Sequence, residues 1–138
     1  MINFTFTDNS GLVFDAIPPT KNRALTAIGI EAEKFAKKKI TAAKAVVTGR
    51  LRNSITYAIK KDEGKSFTYS DNMGNTFTDK VGIGADPNSV YVGTNVIYAK
   101  GIENGTHRKA GAVHFLQDAV TGHSRRYKEL VREAMENA

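Results

Sequence analysis

Ile40-Thr41-Ala42-Ala43-Lys44-Ala45-Val46-Val47-Thr48-Gly49-Arg50-Leu51-Arg52-Asn53-Ser54-Ile55-Thr56-Tyr57-Ala58-Ile59-Lys60 is the stretch in which one periodicity replaces another. Up to Val47 the apolar residues recur every three or four positions, the repeat of a helix with one buried stripe. From Ile55 they alternate, with Ile55, Tyr57 and Ile59 on one parity and Thr56, Ala58 and Lys60 on the other. That is the repeat of a half-buried strand. Thr48-Gly49 marks the junction, since glycine is the usual residue just past a helix end. The stretch therefore predicts a helix that hands over to a sheet.

Upstream, Leu25, Ile28, Ala32, Phe35, Ala36, Ile40, Ala43, Val46 and Val47 continue the stripe back to Pro18-Pro19-Thr20. There the prolines break the chain, and Thr20 is the expected N-cap. A helix over about 20–47 would be roughly 40 Å long, long enough to reach past its own core toward a neighbour. Arg23, Lys34, Lys37 and Lys38 lie opposite the stripe, and Ile30 shares that outer side, about 140° from Leu25.

Downstream, alternation predicts further strands at Phe67 and Tyr69, at Phe77, Val81 and Ile83, and at Val90-Tyr91-Val92. Asp71-Asn72-Met73-Gly74-Asn75 is a hairpin turn, and Asp86-Pro87-Asn88 is a second turn. Ile97 to Glu103 reads as a short helix ending at Asn104-Gly105. Leu116, Ala119, Val120, Tyr127, Leu130, Val131 and Ala134 form the stripe of a C-terminal helix, with Gly122 on its polar side and the pairs Arg125–Glu129 and Arg132–Glu136 at ion-pair spacing. The expected fold is α+β: a long N-terminal helix, a four-stranded antiparallel meander, a short helix and a C-terminal helix packed on one sheet face. Phe35, Ile40, Leu116, Leu130 and Val131 are the expected core. One domain covers 1–138, with 1–19 an N-terminal extension and 61–79 an extended hairpin.

Composition bounds the chemistry. The 138 residues include no cysteine, so disulfides, thiolate metal sites and cysteine nucleophiles are excluded. The apolar runs are only a few residues long, so no membrane span is expected. Met1 to Asp8 has neither a basic start nor an apolar core, so no secretory leader is expected there. The net charge is +6, and residues 21–60 hold ten basic residues against two acidic. Such a segment fits either a solvated helix face or the footprint of a polyanion. No Gly-x-Ser-x-Gly elbow occurs, Gly64-Lys65-Ser66 has Ile59 where a P-loop needs its first glycine, and Gly82-Ile83-Gly84 lacks the third glycine and following helix of a dinucleotide loop. His107, His114, His123 and Glu103 form no compact ligand pattern, so neither metal nor cofactor is expected. No catalytic cluster is legible, and an enzyme is not expected.

Two motifs carry a resemblance. Val47-Thr48-Gly49-Arg50-Leu51-Arg52-Asn53-Ser54-Ile55 is followed by Val90-Tyr91-Val92-Gly93-Thr94-Asn95-Val96-Ile97-Tyr98-Ala99-Lys100-Gly101-Ile102-Glu103-Asn104-Gly105-Thr106, then Phe115-Leu116 and the last helix. In this order they resemble the minor tail-component family of long-tailed bacteriophages of the Hong Kong 97 type, over about residues 20–137. The resemblance implies a non-enzymatic virion protein that completes the tail or joins it to the head. It would act as one subunit of a ring of six at the head-proximal end, between the head connector and the tail terminator, around the path of the DNA. The motif residues are Gly49, Leu51, Arg52, Ile55, Gly93, Tyr98, Ala99, Glu103 and Gly105. Leu51 and Ile55 would anchor the chain entering the sheet, and Gly93 would allow close backbone approach. Tyr98 and Ala99 would pack the short helix, and Glu103 would pair with Arg50 or Arg52. Ile30, Lys34, Lys37 and Lys38 are the candidate subunit contact. The alternative is a small basic nucleic-acid-binding protein that uses the 21–60 surface.

Overall fold

A computed structural model describes residues 2–6, 18–43, 49–81, 89–96, 98–105 and 111–136, and for 2–6 and 18–19 the backbone only. The long helix, α1, runs Pro18–Ala42. Its two prolines stand in the first turn, where backbone N–H groups lack helical partners in any case. Thr20 is therefore inside the helix and buried, not the N-cap expected of it. Leu25, Ile28, Ala32, Ala36 and Ile40 form the buried stripe as expected. The expected continuation at Val46–Thr48 lies outside the described residues, as do Gly82–Gly84, Asp86–Asn88, Ile97 and His107.

The α+β class holds, and the antiparallel strands divide into two small sheets. β1 (Ile2–Phe6), β2 (Thr56–Ala58) and β5 (Val90–Thr94) make one, in the order β1-β5-β2. β3 (Ser66–Ser70) and β4 (Thr76–Lys80) make the other. A single meander does not form because both edges of β5 are taken: its Gly93 lies opposite Asn3 of β1 and Thr56 of β2. The chain turns away after β2 through a 3-10 turn, Lys60–Asp62. There the Asp62 carboxylate accepts from Ile59 N–H at 3.0 Å, and its carbonyl accepts from Lys65 N–H at 3.1 Å. The N-terminal segment, expected as an extension, thus contributes a strand.

β5 is buried along its whole length. α1 packs across β2 and β5. It approaches β2 so closely that a Cβ on Gly29 would stand 2.4 Å from the Tyr57 ring. The short helix α3 is Ala99–Asn104, closed by Gly105 at φ 78°, a left-handed position that favours glycine. The expected single C-terminal helix is two, α4 (Phe115–Thr121) and α5 (Ser124–Glu136). Gly122 N–H closes α4 on Asp118 O at 2.8 Å, and a Cβ there would collide with Asp118. The break lets His123 lie flat on Phe35, with ring centroids 3.6 Å apart and planes 3° apart. Phe35 is consequently half-buried, while Ile40, Leu116, Leu130 and Val131 are in the core as expected. α4 packs on α1 and β1, and α5 packs on α1. No described helix is long and apolar enough to cross a membrane.

Candidate functional site

The motif residues build two joints. The first centres on α2 (Arg50–Ser54), a single turn between α1 and the sheet. Gly49 precedes it at φ 81° and is buried, and a side chain there would strike Asn72 of the hairpin turn at 2.6 Å. Its carbonyl accepts the first helical bond, from Asn53 N–H at 2.9 Å. Gly49 therefore opens α2, whereas α1, expected to end at it, stops at Ala42. Leu51 and Ile55 are core anchors, as expected. Arg52 is half-exposed and donates to Asn53 Oδ1 at 3.4 Å. Ser54 and Thr94, both fully buried, share a hydrogen bond that ties α2 to the end of β5.

This joint also seats the hairpin. The Arg50 guanidinium lies 4.1 Å from the centroid of the Phe77 ring, and Asn53 Nδ2 donates to Ser70 O at 2.7 Å. Tyr69 stacks between Phe67 and Phe77 and donates to Asp79 at 3.0 Å. Burial pushes the Tyr69 phenol up, and the bond to Asp79 adds to this while Arg50 opposes it.

The second joint connects α3 to α4. Ala99 is fully buried as expected, but Tyr98 is 47% exposed and does not pack the helix inward. Glu103 pairs with neither Arg50 nor Arg52. Its carboxylate is buried and accepts from Leu116 N–H at 2.8 Å and Gln117 N–H at 2.9 Å. These are two of the four donors that the start of α4 leaves without helical partners. Val113 and His114 N–H bond back to the carbonyls of Ile102 and Glu103, so the loop returns along α3. The two surviving candidate ligands among the histidines have other duties. His114 adopts φ 52° at the start of α4, and His123 stacks on Phe35 with Asp118 at 3.3 Å.

The surface candidates lie apart from both joints. Ile30 is 53% exposed, in the row that also holds Arg23, Lys34 and Lys38, all exposed. Lys37 is half-buried and bonded to Glu33 at 3.2 Å. One turn before Ile30, Asn22, Arg23, Thr26 and Lys61 line a shallow depression of about 450 Å³.

No protein-family model, curated protein or solved structure matches the chain.

Three structural roles escaped the sequence reading. The Glu103 cap spans 13 residues, the Ser54–Thr94 bond spans 40, and Arg126 bonds Glu31 across 95. No local spacing signals such pairs.

Proposed function

We propose that this chain is a non-enzymatic virion protein, a head–tail joining or tail-completion subunit of the Hong Kong 97 type, acting in a ring. The observation that carries the reading is Ile30. It is an exposed branched apolar residue midway along the outer face of a 25-residue helix. Interface cores select apolar anchors and deplete charge, with polar residues at the rim. Ile30 is such an anchor, and Arg23, Lys34 and Lys38 are such a rim. The motif residues support the same reading, since Gly49, Leu51, Ile55, Ala99, Glu103 and Gly105 act as joints that fix where this face points. The partners would be identical subunits in a ring of six, the head connector and the tail terminator. DNA would pass through the ring, and the protein would reside in the assembled virion.

The test is complementation. Deleting the gene from its phage should leave filled heads and separate tails under the electron microscope. The wild-type chain supplied in trans should restore particles, and a folded Ile30→Asp variant should not. Joined, infectious particles from the deletion would refute the proposal. The competing reading, nucleic-acid binding by the 21–60 surface, draws on the exposure of the same cations. It requires a helix face on which Ile30 can be replaced by Gln without loss.

A further inference from the structure

The sequence concentrates its charge in 21–60, yet α5 carries a second basic surface. Arg125, Lys128 and Arg132 stand along the outer face of α5, all exposed. With Ser124 and Glu129 they line a groove of about 300 Å³. The spacing predicted Arg125–Glu129 and Arg132–Glu136 ion pairs, and neither forms among the described residues. Glu129 is drawn instead to Arg126 at 3.4 Å, which also holds Glu31 at 3.3 Å and Glu133 at 3.9 Å. Arg126 thus gathers the nearby carboxylates to one side, and the three cations are left without a described ion pair.

Their placement runs against helix stability. α5 has no acidic residue in its first turn and carries Arg125 and Arg126 there. The helix dipole disfavours cations at that end and favours anions. An anion brought to Ser124, Arg125 and Lys128 would reverse this unfavourable arrangement.

We propose that this face of α5 is a contact surface for a nucleic-acid phosphate backbone, Arg125, Lys128 and Arg132 each meeting a phosphate. The three cations are three and four residues apart, a run of about 10 Å along the helix axis. One DNA strand presents a phosphate about every 3.4 Å of duplex axis, so about three fall within that run. Arginine, lysine and a hydroxyl such as Ser124 are the groups that take phosphate oxygens without reading sequence. None of the five residues lining the groove is apolar, although Met135, 40% exposed, follows Arg132 on the same side of α5. The inference rests on α5 alone and stands independently of the head–tail reading.

The test is fluorescence anisotropy of the full chain with a labelled random-sequence DNA duplex between 50 and 200 mM NaCl. Three neutralised phosphates predict a log–log salt slope of about −2.7, or about a 40-fold loss of affinity over that range. The Arg125→Gln/Lys128→Gln/Arg132→Gln variant should melt like wild type and lose the binding. Glu129→Gln should bind more tightly. A charge-matched Lys60→Gln/Lys80→Gln/Lys100→Gln variant, at three exposed sites elsewhere, should keep most of the affinity. Equal losses in the two triple variants would mean diffuse net charge and overturn the proposal. So would loss only on replacing Lys34, Lys37 and Lys38. Equally tight binding of poly-glutamate would assign the face to an acidic protein and overturn it as well.

Discussion

Glu103 shows what a single residue can decide. A buried carboxylate is expensive unless its oxygens are bonded, and here both oxygens take first-turn N–H groups of α4. It offsets the desolvation of the charge and the open donors of the helix together. Glu103→Ala should cost about 2–4 kcal/mol, because one buried and one part-buried donor lose their acceptor, at roughly 1–3 kcal/mol for a buried group and less where water can replace the carboxylate. Glu103→Gln, which keeps one acceptor oxygen, should cost less. Thermal unfolding of the two variants checks this, and equal, near-zero shifts would show that water caps α4 just as well. The sequence makes Glu103 noticeable through its place before the Gly105 turn. Its partner was not legible, because the choice between Arg50, Arg52 and a helix end is made by how Val113 and His114 bond back to α3. Gly29 was silent for the same reason: nothing local announces that the Tyr57 ring will occupy its Cβ position.

At the scale of elements, the hairpin is held at its turn by one side chain. Asp71 accepts from Met73 N–H, Asn75 N–H and Asn75 Nδ2, all at 2.9 Å. The Asn75 side-chain bond foremost, helped by the backbone bonds, lowers the Asp71 pKa below its ordinary value. A carboxyl whose folded pKa is depressed stabilises the fold above its unfolded pKa and loses that contribution as pH falls through the folded one. The protection of the Met73 and Asn75 amides, taken relative to the intrinsic exchange rate at each pH, should therefore fall as acid is added below about pH 4, the ordinary carboxylate range. In Asp71→Asn that pH response should vanish, and a response surviving the substitution would place the acid sensitivity elsewhere. The turn itself, the β3–β4 alternation and most of α1 were legible, because each depends on contacts a few residues apart. The partition into two sheets was not. It depends on β1 taking one edge of β5, and the alternation of Ile2, Phe4 and Phe6 with Asn3 and Thr5 was the available signal. The α4–α5 break had a cue in Gly122, whose cost within a continuous helix is about 1 kcal/mol, but the stacking of His123 on Phe35 could not be read from it.

For the molecule as a whole, α1 is the common wall. It touches α2, β2, β5, α4 and α5, so its inner stripe is shared by every layer of the core. Its outer row, Arg23, Ile30, Lys34 and Lys38, is exposed, and the buried and exposed faces come within two positions of each other. Ile28 is fully buried and Ile30 is 53% exposed. Truncating a buried isoleucine loses transfer free energy and leaves a cavity that neighbours on several elements cannot all collapse to fill. Ile28→Ala should therefore cost about 2–5 kcal/mol and lower the melting temperature by on the order of 10 °C. Ile30→Ala removes the same atoms from water-facing surface and introduces a better helix former, so its melting temperature should stay within about 2 °C of wild type or rise slightly, at the roughly 0.5 kcal/mol expected of surface changes. Scanning calorimetry on the pair separates the two faces with one chemistry. A large loss of stability in Ile30→Ala would mean that this side chain serves the fold and is not available to a neighbouring subunit.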